Sequence, residues 1–292
     1  TRPSVKIQDG CNNRCSYCLI PYVRGRSRSR AIQSVVFECE RLSKQTKEIV
    51  ITGIDVSDYG KDIDTTFVEL IRALKDIDCR IRLSSLEANI ITDDLLVALS
   101  ELKNFCPQFH LSLQSGDDEV LKKMNRHINK EYIDDLFKRI EKYNCFTIRS
   151  TFIVGFPGET EDDYLELKNF ISEGKIDRCG FFTYSQEEGT PAARMKDQID
   201  EDIKKARQAE LYDIQQKVMV KRMKKKIGSV VDVIYEGIDY DRQMFYGRSR
   251  SDAPDIDTKI YFTADNLVDV GNIYKIELQK MDGLDYIGKV RG

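Results

Sequence analysis

The sequence contains no apolar run approaching the roughly 18–20 residues that cross a bilayer, so no membrane-spanning helix and no membrane partner are expected. Charge of one sign is lacking too. Charged residues make up 33% of the chain, yet 46 Lys/Arg against 49 Asp/Glu leave a net charge of −3. That balance argues against indiscriminate nucleic-acid binding and leaves room for local basic patches. A disulfide framework is missing. Of the eight cysteines, Cys39, Cys79, Cys106, Cys145 and Cys179 stand singly, as reduced thiols of a cytoplasmic protein do. Histidine is nearly absent, with only His110 and His127. No repeat of solenoid period is present.

What is present fits a globular chain. Its 292 residues suit one large domain or two smaller ones. A 41% hydrophobic content allows a sizeable core, and the mean hydropathy is −0.45. The remaining three cysteines fall together in Asp9-Gly10-Cys11-Asn12-Asn13-Arg14-Cys15-Ser16-Tyr17-Cys18. Three thiolates in a C-x3-C-x2-C run can hold three irons of a cubane and leave the fourth iron open. Structural zinc normally takes four closed ligands, and a ferredoxin cubane four cysteines. A zinc knuckle closed by distant His110 or His127 is the alternative reading.

Residues up to about 190 alternate short apolar strands with amphipathic helices. Strands are expected at Ser4–Gln8, Glu48–Gly53, Arg80–Ser85, Phe109–Gln114, Thr147–Gly155 and Cys179–Tyr184. Helices are expected at Ile32–Lys44, Phe67–Lys75, Asp93–Leu102, Asp117–Met124, Lys130–Tyr143 and Glu161–Ile171. The pattern predicts an α/β fold, a partial (βα) barrel, with ligands at the C-terminal ends of its strands. Residues 200–226 read as a solvated connecting helix, with contact to an acidic partner as the alternative. From Gly228 the period changes to two, and five short strands predict a small antiparallel β-barrel. Domains are therefore expected at 1–200 and 227–292, joined by the helix of 201–226.

The cysteine loop, with Tyr17 before its last cysteine and Pro21, Arg24-Gly25 and Arg28-Ser29-Arg30 after it, resembles the radical S-adenosylmethionine (SAM) methylthiotransferase family. The resemblance spans the whole chain, as a radical-SAM barrel followed by a TRAM-like barrel. It implies a 4Fe-4S cluster on Cys11, Cys15 and Cys18 whose open iron chelates SAM. Reductive cleavage of SAM to a 5′-deoxyadenosyl radical then serves to replace C–H by C–S–CH3, with the cofactor supplying the chemistry. It further implies Tyr17, Thr52, Gly53, Ser85, Glu87, Gln114, Arg149, Ile153 and Gly155 as SAM contacts. Arg149 would pair with the SAM carboxylate or else form a structural ion pair, and Gly155 would line the adenine or simply make a turn. Members carry a further N-terminal domain with a second 4Fe-4S cluster as sulfur source. No second cysteine triplet occurs here, and the chain opens at Thr1-Arg2-Pro3, as a fragment would. Without that domain, a module that only binds SAM and substrate is the other class of function.

Two branches are resembled. Residues 1–145 look like enzymes acting on threonylcarbamoyl-adenosine of tRNA. Residues 147–292 look like enzymes acting on an aspartate of ribosomal protein S12. Residues 226–292 hold nine Lys/Arg against twelve Asp/Glu. An acidic barrel suits a basic ribosomal protein better than tRNA, with Asp252, Asp255 and Asp257 expected to face that partner or else to form a turn. The Arg24, Arg26, Arg28 and Arg30 run is expected as a positive rim at the mouth or as a solvated loop. An electron donor such as flavodoxin is a further implied partner.

Overall fold

The computed structural model describes residues 2–143, 146–254, 256–264 and 269–291. Its strands are β1 (Ser4–Asp9), β2 (Arg28–Ser29), β3 (Glu48–Gly53), β4 (Arg80–Leu83), β5 (Ser85–Leu86), β6 (Gln108–Gln114), β7 (Thr147–Val154) and β8 (Arg178–Thr183), followed by β9 (Val230–Asp239), β10 (Met244–Ser249), β11 (Ile260–Thr263), β12 (Ile273–Asp282) and β13 (Asp285–Val290). Its helices are α1 (Ile20–Arg24), α2 (Ile32–Ser43), α3 (Phe67–Ala73), α4 (Asp93–Glu101), α5 (Asp118–Lys123), α6 (Lys130–Glu141), α7 (Glu161–Ser172) and α8 (Glu201–Lys224). Helix starts follow local chemistry. Thr66 with Glu69, and Thr160 with Asp163, close capping boxes that satisfy the first free N–H groups of α3 and α7. None of the described helices is long and apolar enough to cross a membrane.

The first eight strands form two four-stranded sheets, ordered β2-β1-β3-β4 and β5-β6-β7-β8. All pairings are parallel except the short β1–β2 pair. The strand expected at Arg80–Ser85 is divided, and β4 passes into β5 across the single residue Ser84. That step carries the chain from one sheet to the next. Val5, Ile7, Ile49, Ile51, Phe109, Leu111, Phe152 and Phe181 of these strands are fully buried in one core. Parallel strands share an orientation, so the residues after β1, β3, β5, β6 and β7 gather at one mouth.

The last five strands close in the order β10-β11-β13-β12-β9. The expected barrel is there, but not wholly antiparallel, because β11 and β13 run parallel. Five is an odd number, and a closed ring of an odd number of strands must contain at least one parallel neighbour pair.

Helix α8 is not the solvated connector expected. It packs on β8 and α7, burying Lys204, Arg207, Leu211 and Gln215, and its Met223 enters the core of the small barrel. Its inward polar side chains are each tied to a neighbour, although Arg207 Nε and Gln215 Oε1 stay without a partner among the described residues. Lys204 donates to Tyr184 O at 3.0 Å, Arg207 to Glu159 Oε1 at 2.6 Å and Gln215 to Asp177 O at 3.0 Å. Hydrophobic periodicity is silent here because much of the buried face is polar.

The small barrel docks on the N-terminal ends of the first strands, opposite the mouth. Arg80 of β4 donates to Asp232 O at 2.9 Å. Arg178 of β8 meets Asp252 at 2.7 Å and Asp257 at 2.5 Å, and Arg149 of β7 pairs with Asp257. The expectation that Asp252 and Asp257 face a basic partner is thereby corrected, since both are consumed by arginines of the same chain. Asp255 lies outside the described residues.

Candidate functional site

The cysteine loop leaves the C-terminal end of β1 through Gly10, whose φ of 77° is left-handed. A Cβ at Gly10 would lie 2.0 Å from Arg26 O, so the two strands of the loop touch backbone to backbone. Gln8, 1% exposed, ties the loop to its neighbour. Its carboxamide donates to Gly10 O at 2.7 Å and Ser27 Oγ at 2.8 Å, and accepts from Ile54 N at 3.1 Å and Asp55 N at 2.9 Å. Gln8→Leu removes the partner of all four groups, three of which are in buried bonds. It is expected to cost about 2–4 kcal/mol of stability in urea unfolding.

Each thiol has its own surroundings. Cys11 Sγ lies 3.5 Å from Asp55 Oδ2, which also accepts from Asn13 Nδ2 at 2.9 Å. Asn12 donates to Asp58 Oδ2 at 2.6 Å. Cys15 Sγ receives Arg126 Nη1 at 3.6 Å. Arg126, its side chain 5% exposed, forks onto both oxygens of Glu87 and also reaches Ser112 O. The far side of the loop is pinned by Ser16, whose N and Oγ bond Met124 O at 3.0 Å and Lys123 O at 2.7 Å. Asn125, in the left-handed region at φ 57°, donates to Arg14 O at 2.8 Å.

Burial, then the Asp55 carboxylate, pushes the Cys11 thiol up to about 12, and burial raises Cys18 as well. Burial likewise raises Asp55, with Glu87 adding to it. A bound metal cation reverses that preference, because coordination requires the thiolate and releases its proton.

The donor set fits a thiolate-held iron–sulfur cluster. Cys11, Cys15 and Cys18 are all free thiols, half-buried on one loop. Among the described residues no three His, Cys, Asp or Glu side chains converge as a ready-made metal cage. His110, mid-β6 opposite Arg149, is held down to about 4 by burial and by Arg149. It stands away from the loop and is no fourth ligand to it. His127 lines the small cleft beside Cys15, together with Asn13, Glu87 and Arg126.

The other expected residues divide. Thr52 and Gly53 end β3, Ser85 lies in β5 and Glu87 just after it, and Gln114 ends β6, all at the mouth. Gln114 is held at φ 71°, an uncommon conformation for a side chain of this kind and a mark of a constrained strand end. Ser84 Oγ, where β4 meets β5, is buried without a partner among the described residues. Tyr17 packs edge-on to Phe156, with Ile153 against the same small apolar cluster. Gly155 is buried at φ 69°, and its missing Cβ makes room for Lys204 Cγ at 2.2 Å. Helix α8 therefore accounts for this glycine. Of the two roles expected for Arg149, the structure shows the ion pair. This arginine lies near the start of β7, on the barrel-docking side, and is committed to Asp257. Of the arginine run, Arg30 is paired with Glu38 at 2.7 Å and Arg28 with Asp9 at 3.6 Å, while Arg24 and Arg26 are exposed.

Sequence reasoning missed Arg126, Asp55, Asp58 and Gln8. Asp55 carried a weak signal, being two residues past Gly53 at a strand end. Arg126 carried none, since it follows a short helix in a charged stretch.

The family model described as the Radical SAM superfamily matches residues 5–171, and that of the TRAM domain residues 227–290. Proteins named ribosomal protein uS12 methylthiotransferase RimO are similar over 98% of this chain. The one from Clostridium botulinum (strain Loch Maree / Type A3) is 41% identical over 292 residues, and the one from Thermoanaerobacter sp. (strain X514) 36% over 290. The chain spans 65% and 66% of these two relatives, a little under two thirds of their length. Among solved structures, methylornithine synthase (PylB) superposes with a TM-score of 0.51 at 15% identity, over 76% of this chain and 68% of that one. Streptococcus suis SuiB bound to S-adenosylmethionine gives 0.52 at 16%, over 76% and 48%. The fold of about three quarters of this chain is thus one found in both. With its family model covering more than half the residues, and the three-cysteine loop at the mouth of that fold, the chain belongs to the Radical SAM superfamily.

Proposed function

We propose that this chain is the catalytic and TRAM portion of a radical SAM methylthiotransferase that acts on ribosomal protein S12. The observation that carries the reading is the joint one. Identity of 41% to the RimO relative extends across both the cysteine-bearing barrel and the small barrel. Cys11, Cys15 and Cys18 would hold the cluster. When bound, the cluster and SAM together supply the one-electron chemistry that activates a C–H bond.

The chain's own residues prepare the place. Arg126 sets a positive charge beside Cys15 and fixes the position of its sulfur. Glu87 offsets that charge and holds the guanidinium in position. Tyr17 and Phe156 form an apolar wall that limits water on one side of the loop. Thr52, Gly53, Ser85, Glu87, Gln114 and Ile153 offer backbone and side-chain groups at the strand ends for SAM. The substrate reading no longer rests on an acidic barrel face, because Asp252 and Asp257 are engaged internally. It rests on the relatives.

Anaerobic reconstitution of this chain with iron and sulfide should load about four irons. It should also yield 5′-deoxyadenosine from SAM under reduction. Tightly held zinc without SAM cleavage would sink the reading. Protein of the relatives' full length then decides the substrate. Methylthio incorporation into S12 is expected, and incorporation into tRNA alone would overturn that assignment.

A further inference from the structure

A cavity of about 520 Å³ lies at the junction of the two barrels, on the side away from the cysteine loop. Lys47, Arg80, Asn104 and Arg250 line it, with Asp78 exposed at its rim. Arg80 is 2% exposed. Only its Nη2 is used, on Asp232 O, while Nε and Nη1 are buried without a partner among the described residues. Arg250 donates from Nη1 to Lys103 O at 3.2 Å and leaves its Nε buried and unpartnered. Glu48, the buried carboxylate whose charge acts on Arg80, is already held by Arg82 and Arg248.

Unmatched donors this deep are rare in folded proteins, and guanidinium forks match the oxygens of phosphate. One acceptor is unmatched as well. Asn104 gives its Nδ2 to Ile77 O at 2.5 Å and Cys79 O at 2.8 Å, which fixes the amide and leaves its buried Oδ1 without a donor. A ligand here needs several acceptor oxygens and one O–H.

We propose that this junction cavity binds a hydrogen phosphate group, free or as a monoester, between Arg80 and Arg250, with the phosphate O–H on Asn104 Oδ1. Burial, together with the guanidinia of Arg250 and Arg248, depresses the Arg80 pKa, and a bound phosphate anion relieves that. Because Arg80 belongs to the first barrel and Arg250 to the second, the phosphate would bridge the two and tighten their docking.

Calorimetric titration of the whole chain at low ionic strength tests this. The probes are inorganic phosphate, AMP as a monoester, the diester ApA, and adenosine as the base control. Saturable binding of phosphate and AMP is expected, weakened about tenfold or more in Arg80→Gln and in Arg250→Gln. Arg242→Gln, on an exposed pair with Asp282, should leave it unchanged. If Arg80→Gln does not fold, Arg250→Gln decides alone. Absent saturation, equal binding in the variants, or binding of ApA alone would each overturn the proposal.

Discussion

Glu48→Gln is expected to lower the free energy of unfolding by about 3–5 kcal/mol, measured by urea denaturation near neutral pH. Glu48 is 1% exposed, between Arg82 at 3% and Arg248 at 4%. Arg82 Nε reaches Oε1 at 2.9 Å and its Nη2 reaches Oε2 at 3.3 Å, while Arg248 Nη1 reaches Oε1 at 2.6 Å. The glutamine keeps the shape but removes the charge, and its NH2 faces guanidinium donors. Two buried cations then lose their shared counter-ion. Arg82 comes from β4 and Arg248 from β10, so the loss falls on the junction of the two barrels. Asp94→Asn is the comparison. It breaks a pair with Arg72 of 2.5 Å, but the two side chains are 61% and 50% exposed. About 0–1 kcal/mol is expected there. Equal effects for the two variants would refute the burial argument.

The same carboxylate sets an acid limit. Burial alone would raise the Glu48 pKa, but Arg82 and then Arg248 outweigh it and hold it below its usual 4.5. A carboxylate depressed in the folded state stabilises above the unfolded pKa, and that contribution fades as pH falls through the folded value. Wild-type stability should therefore drop below about pH 4.5, and the gap to Glu48→Gln should narrow in that window.

Period-two and 3.6-residue patterns made most of the elements legible, since β3, for example, runs over Glu48–Gly53 as expected. Spacing alone set the three cysteines at the mouth. What stayed hidden was decided by charge at a distance. Arg149 sits at a strand, as a ligand or an ion-pair partner would, and only the folded position of Asp257 chose between them. Arg126 lies 111 residues from Cys15 in sequence, so no local pattern joins them. Helix α8 buries Lys204, Arg207 and Gln215, which any hydrophobic count assigns to solvent. The short strand β2 was missed because two residues carry no period, yet it fixes the return of the cysteine loop beside β1.

That return makes Gly10→Ala the substitution with the largest expected effect on the site. Gly10 and Gly25 face each other across the loop, where Cys11 N donates to Gly25 O at 3.1 Å. Both are left-handed, at φ 77° and 74°. A methyl at Gly25 meets only the side-chain end of Arg28, with Nη1 at an ordinary contact distance of 3.5 Å. Gly25→Ala should thus cost only the backbone strain, about 1–3 kcal/mol at its φ of 74° and ψ of −164°. A methyl at Gly10 meets Arg26 O at 2.0 Å and Gly25 O at 2.7 Å, which are backbone and cannot swing aside. The loop must open, breaking the Cys11–Gly25 bond and the Gln8 bond to Gly10 O, and Cys11 moves with it. Gly10→Ala should keep the far-ultraviolet circular dichroism of the wild type, because the core strands are untouched. Its iron content after reconstitution should fall at least about tenfold, the scale on which support around metal ligands acts. Gly25→Ala should load iron nearly as the wild type does. If Gly10→Ala loads iron as well as Gly25→Ala, the backbone contact does not position Cys11, and the loop is pliant enough to hold a cluster without it.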